Sequence, residues 1–117
     1  MKVKIGENIF KVKIADDNRS RAIGMMGKTF NENFNGMLFL MNDYTNCFWM
    51  KNCTIPLDII FIDKQIISKI HHNCLPCGDK EDCDSYCGRG YVILEITGGS
   101  SKDLGINKGD EIKFIFD

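Results

Sequence analysis

The stretch Asp58-Ile59-Ile60-Phe61-Ile62-Asp63-Lys64-Gln65-Ile66-Ile67-Ser68-Lys69-Ile70-His71 decides the fold. Asp58 to Ile62 is a short, strongly apolar run of β-branched and aromatic residues that suits a buried strand. Asp63-Lys64-Gln65 supplies a turn, and Ile66 to His71 returns as a second strand, so the stretch reads as a hairpin. Pro56 upstream cannot donate to a ladder and predicts a bend before the first strand. Working outward, Lys2 to Ile5 and Lys11 to Ile14 alternate polar and apolar residues about Gly6-Glu7-Asn8, which predicts another hairpin. Gly36 to Met41 and Cys47 to about Lys51 read as strands, as does Tyr91 to Thr97, and Ile112, Phe114 and Phe116 alternate along a last one. A helix is predicted from about Asp16 to Met26, with Asp16, Asp17 and Asn18 available as caps and Gly27 at its end. A one-turn helix should start at Ser100, with Ser100 and Asp103 as a capping box and Leu104 plugged into the core. About eight strands, two short helices and no alternating βα units predict a mainly β fold, a small barrel-like antiparallel domain. Closure or near closure avoids exposed sheet edges.

With 117 residues the chain has room for one core, so residues 1–117 are expected to form a single domain. Fifteen Lys and Arg against sixteen Asp and Glu, scattered along the chain, give little support to nucleic-acid binding. No apolar run is long enough to span a bilayer. Met1-Lys2-Val3-Lys4-Ile5 has no signal-peptide pattern, which points to the cytoplasm, whereas six cysteines in so short a chain suit an exported or virus-associated context.

Arg21-Ala22-x-Gly24-Met25-Met26, Gly36-Met37-Leu38-Phe39, Phe48-Trp49-Met50-Lys51-Asn52 and Ile55-Pro56-Leu57-Asp58-Ile59 together resemble the family catalogued as domain of unknown function 192. The resemblance continues through Phe61-Ile62-Asp63, Pro76-Cys77, Cys83 with Tyr86, Leu94-Glu95 and Gly105-Ile106-x-x-Gly109-Asp110, covering roughly residues 10 to 115. It implies a compact β-barrel-like domain without an established activity, often exported. It also implies one cysteine pair, at Cys77 and Cys83, to which this chain adds Cys74 and Cys87.

Residues 73 to 90 show no period and carry Cys74-x2-Cys77-x5-Cys83-x3-Cys87, so they predict a long cross-linked loop outside the core. Nested disulfides, Cys77 with Cys83 and Cys74 with Cys87, would rigidify it; four thiolates on one tetrahedral zinc would do the same without an oxidising compartment. The gaps do not match the usual iron-sulfur runs, and a redox pair Cys74-x-x-Cys77 lacks the helix start that would activate it. The resemblance tilts the choice towards disulfides, with no cofactor expected and zinc as the alternative. Cys47 and Cys53 are expected to be reduced and packed.

Alternation puts Trp49 and Lys51 on one face of their strand, and the Pro56 bend would return Asp58 to them and to Asn52. These four residues could form a shallow pocket with an aromatic wall. The plainer reading, which the pattern favours, has Trp49 cover the barrel end while Lys51 pairs with Asp58. His71 and His72 abut the cysteines, but adjacent strand positions point to opposite faces, so at most one can address a site there. No nucleophile elbow, phosphate loop or dinucleotide fingerprint is present. The chain therefore reads as a noncatalytic ligand-binding or accessory module for a small molecule or protein, catalytic residues none. The alternative is a small redox or zinc-dependent enzyme built on His71 or His72 and the cysteine loop.

Overall fold

The computed structural model describes residues 1–116. In chain order the described elements are β1 (Lys2–Ile5), β2 (Asn8–Ala15), α1 (Asn18–Ile23), β3 (Gly36–Leu40), β4 (Thr45–Phe48), β5 (Leu57–Asp63), β6 (Ile66–Cys74), β7 (Tyr86–Arg89), β8 (Val92–Thr97), α2 (Ser100–Asp103) and β9 (Ile112–Ile115). Seven strands form one sheet in the order β6-β5-β8-β3-β2-β1-β9, and β4 pairs with β7 apart from it. The large sheet curls into a half-barrel. Its two edge strands approach at one corner, where Ile66 bridges Glu111 and the Ile112 amide donates to the Gln65 carbonyl at 2.8 Å. The mainly β architecture matches the sequence reading. The all-antiparallel expectation needs one correction: β2 and β3 are parallel, because α1 and the segment after it carry the chain across before β3 begins. Among the described residues no helix is long and apolar enough to cross a membrane.

Strands β3, β5 and β8 are buried along nearly their whole length, which explains why they appear in the sequence as unbroken apolar runs. One face packs inside the curl, where Val3, Ile5, Leu38, Ile60, Leu94 and Ile112 meet. The other face packs under α1, the 41–56 segment and β4-β7, through Met25, Met37, Phe39, Met50, Ile59 and Ile93. Each apolar side chain so buried contributes about 1.5 to 3 kcal/mol. The sheet is thus the middle layer of a structure with two cores.

The cysteine segment, predicted as a long cross-linked loop, is cross-linked but also carries strand structure. Strand β6 runs on to Cys74, and β7 is a ninth strand, laid against β4 from Thr45–Arg89 to Phe48–Tyr86. Periodicity missed it because Gly88 takes the place of an apolar residue. A Cβ at Gly88 would stand 2.5 Å from the Phe61 ring, so only glycine lets β7 lie on the sheet there.

Helix α1 is shorter than predicted, and Asp17 caps it in a capping box: the Ser20 amide donates to the Asp17 carboxylate at 2.7 Å and the Asp17 amide donates to Ser20 Oγ. The capping box expected at Ser100 and Asp103 does not form. Gly99 is the N-cap of α2 and no side chain local to it supplies the bond. Instead Asp58, fully buried in β5, accepts from the Gly99 and Ser101 amides at 2.9 and 2.8 Å and from the Asn73 amide at 2.7 Å. Leu104 stays 45% exposed, and Ile106 fills the core position predicted for it.

Candidate functional site

Glu95 sits in the middle of β8, with Met37 of β3 and Ile59 of β5 directly beside it. Strand alternation places its side chain with Ile93 on the face under α1, in the midst of apolar residues. It is 3% exposed and accepts no hydrogen bond among the described residues, yet its oxygens are not sealed off, since the fully enclosed side-chain polar atom left without a partner among them is Ser101 Oγ. Burial alone pushes its carboxyl up from 4.5 to about 8, so the acid is mostly protonated at neutral pH.

This carboxyl lines a cavity of about 200 Å³ between the sheet, α1 and the end of β4. The walls are electron-rich: Met25, Met26 and Met41 thioethers, and the Phe39, Phe48 and Trp49 rings. Phe39 and Phe48 meet edge to face at 5.0 Å. Gly24 ends α1 with φ 49°, and a Cβ there would lie 3.2 Å from the Phe39 ring, so this glycine lets the helix end settle on that wall. The exposed Ala22, Cys47 and Trp49 lie on the open side. Arg21 is also at the rim, but its guanidinium is spent on the backbone, donating from Nε to the Leu40 carbonyl at 2.6 Å and from an Nη to the Asp16 carbonyl at 2.8 Å.

Of the four residues predicted to form a patch, Trp49 and Lys51 come together, whereas Asp58 is buried away from the surface. Trp49 is 40% exposed, and the Lys51 ammonium lies 5.0 Å from its ring centroid. Lys51 also pairs with Glu81, not with Asp58. Asn52 turns the chain with φ 58°, its amide donating to the Gly78 carbonyl at 2.7 Å. Asp58 is interior and holds backbone amides, because the first half of β5 is covered on both faces. Burial would push its carboxyl up, but the hydrogen bonds from Asn73, Gly99 and Ser101 outweigh that and hold it below the usual carboxylate range. Trp49 alone of the four lines the cavity.

The cysteines are also arranged differently. Cys77 is joined to Cys83, and Cys87 is joined to Cys47, directly across the β4-β7 pair. The outer pair expected between Cys74 and Cys87, and the reduced state expected for Cys47, are therefore not found. Cys74 ends β6 inside the core, where its thiol donates to the His71 carbonyl, and Cys53 is buried near Glu95. A zinc on Cys74, Cys77, Cys83 and Cys87 is not supported: three of those four sulfurs are bonded in disulfides, and no group of three metal-binding side chains gathers among the described residues. Desolvation pushes the Cys53 thiol up to about 11 and the Cys74 thiol to about 12, so neither is a thiolate nucleophile near neutral pH. His71 donates to or accepts from nothing in the cavity; its Nε2 lies 2.8 Å from the Cys87 carbonyl and its ring packs against Phe61 and Tyr86. His72 is exposed. Non-reducing peptide mapping is expected to yield the linked pairs 47–87 and 77–83, with a mass four hydrogens below the fully reduced chain. Alkylation of Cys53 and Cys74 should need denaturant. A linked 74–87 peptide would contradict this arrangement.

Glu95 itself escaped the sequence reading as a site residue. The signal was a lone acid inside the run Val92-Ile93-Leu94-Glu95-Ile96, whose burial depends on strands on either side that periodicity does not reveal.

Comparison with solved structures finds a protein of unknown function from Novosphingobium aromaticivorans, 32% identical, with TM-score 0.83 over 97% of this chain and 84% of that one. A protein from Sinorhizobium meliloti, named as a candidate transcription regulator, is 28% identical with TM-score 0.78, over 96% of this chain and 89% of that one. No curated protein matches. The sequence profile of DUF192, described as "Uncharacterized ACR", matches residues 1–114, and the chain belongs to that family.

Proposed function

We propose that this chain is a noncatalytic binding module that takes a small molecule into the cavity above Glu95, with Trp49 at the mouth. The observation that carries the reading is the partnerless carboxyl at the cavity floor. A buried polar group left without a hydrogen bond costs about 1 to 3 kcal/mol, and an aliphatic residue at that place would remove the cost. Departures from local consistency of this kind gather at functional sites. Convergent apolar walls around one oriented polar group are the usual form of a small-molecule pocket. Lys51 and Asn52 support the mouth from outside: one covers the Trp49 ring, the other shapes the turn behind it.

The test uses methyl-labelled methionine and NMR, with butylammonium, 1-butanol and butanoate as probes. At least one probe is expected to shift the Met25, Met26 and Met41 methyl signals saturably, and Ala22→Trp, which narrows the mouth from an exposed helix position, should weaken that response at least tenfold. Silence from all three probes, or shifts unchanged by Ala22→Trp, would overturn the reading.

A further inference from the structure

Resting on that cavity reading, we infer that its ligand is a small organic cation, a primary ammonium on a short apolar body, held with its charge against Glu95 and its body among the methionines and rings. Three observations converge on this class. Glu95 offers two carboxyl oxygens and no donor among the described residues satisfies them, so a bound N–H or O–H group finds open acceptors there. A carboxylate or phosphate ligand would instead meet a group of its own charge sign at the floor once Glu95 ionises. The Arg21 guanidinium at the rim is turned to the Leu40 and Asp16 carbonyls, with its Nε and one Nη bonded there.

The walls point the same way. Aromatic faces attract cations through their negative π face. The Trp49 ring already does so in this molecule, with the Lys51 ammonium 5.0 Å from its centroid. A second cation would meet Phe39, Phe48 and the other exposed parts of Trp49 from the cavity side, while the flexible thioethers of Met25, Met26 and Met41 fit around an alkyl body. A cavity of about 200 Å³ limits that body to a few carbons.

An ammonium also resolves the electrostatics of the site. The ionisable groups about Glu95 are Arg21 of α1 and the thiols of Cys53 and Cys74, with Lys28 acting on Cys53 and Asp58 on Cys74. Both thiols stay protonated below pH 9, Asp58 is ionised throughout, and the Lys28 ammonium donates to the Gly24 carbonyl. Glu95 is thus the group whose proton is displaced when a cation arrives. Because its free carboxyl titrates near 8, binding at pH 7 should release close to one proton. Affinity should rise about tenfold per pH unit from 6 to near 8 and level off above it, since an alkylammonium stays charged throughout that range.

The decisive measurement is the affinity of butylammonium, 1-butanol and butanoate between pH 6 and 9, read from the methionine methyl shifts and from calorimetry in buffers of different ionisation enthalpy. The inference expects butylammonium to bind at least tenfold more tightly than either neutral or anionic isostere at pH 8, with proton release at pH 7. Glu95→Gln, which keeps the size of the side chain, should cost butylammonium at least tenfold and remove its pH dependence. If 1-butanol or butanoate binds as well as the amine, or if amine binding is indifferent to pH or to Glu95→Gln, the cation assignment falls while the cavity remains a binding site. If none of the three moves the methyl signals, the binding reading itself falls with it.

Discussion

Glu95→Gln is expected to separate from the wild type in stability as pH rises from about 4.5 to about 8, the variant gaining by about 3 to 5 kcal/mol across that window. The sign follows from proton counting. In the unfolded chain the carboxyl ionises at its ordinary value, while in the fold burial holds the proton on until about pH 8. Within the window the folded state therefore binds more protons than the unfolded one, and wild-type stability falls with pH. Below it both states are protonated and the group has no effect; above it both are ionised and the loss is complete. Glutamine does not titrate, so this slope disappears, whatever constant offset its amide introduces. Urea unfolding followed through Trp49, the chain's one tryptophan, at pH 4.5, 6, 7 and 8 reads the difference directly. A gap between variant and wild type that stays constant over those pH values would show that Glu95 is not a buried, partnerless acid.

Asp58→Ala is expected to act in the opposite direction, destabilising the fold by about 3 to 5 kcal/mol at neutral pH. One carboxylate accepts from three amides contributed by different elements: Asn73 in β6, Gly99 after β8 and Ser101 in α2. Alanine leaves all three donors without their acceptor, that of Ser101 in a buried position. The folded carboxyl is held low by those bonds, so its contribution is present above the unfolded value near 3.9 and disappears as pH falls through the still lower folded value. The wild type should lose stability in acid where Asp58→Ala loses much less. An alanine variant within about 1 kcal/mol of the wild type at pH 7 would remove the carboxylate from its structural role. Two interior acids of one sheet thus shape stability in different pH ranges, Asp58 in acid and Glu95 towards neutrality.

How much of this could be read in the sequence varied with how local the cause was. The β1-β2 and β5-β6 hairpins depend on neighbouring residues, alternation and turn chemistry, and both were legible. Strands β3, β5 and β8 were legible as apolar runs suited to burial, but what covers their outer face was not, since residues 25–34, the 41–56 segment and β7 reach it from elsewhere in the chain. For the same reason Asp58 looked like a surface acid near Lys51, and Glu95 drew no attention as a site. Disulfide partners resisted for a topological reason: the Cys87 sulfur is next in space to Cys47, 40 residues back in the chain, because β7 lies on β4. Spacing within residues 74 to 87 could suggest a closed loop but could not reveal a partner outside it. Trp49, offered from the sequence as one wall of a shallow pocket with Lys51, Asn52 and Asp58, lines instead the recess that contains Glu95.

The sheet order also sets a schedule for the nascent chain. Strand β8 lies between β5 and β3, yet it is synthesised after both of them, and β9, which pairs with the edge of β1, comes later still. Until residues 92–97 have left the ribosome, the Gly36–Leu40 and Leu57–Asp63 strands have open edges and apolar faces with nothing between them. Assembly of the sheet must therefore wait for β8, whose pairings are non-local on both sides, Ile62 with Val92 on β5 and Leu40 with Val92 on β3. During that interval the two apolar strands are open to pairing with another chain, so a central strand that follows both of its neighbours in sequence lengthens their exposure to aggregation.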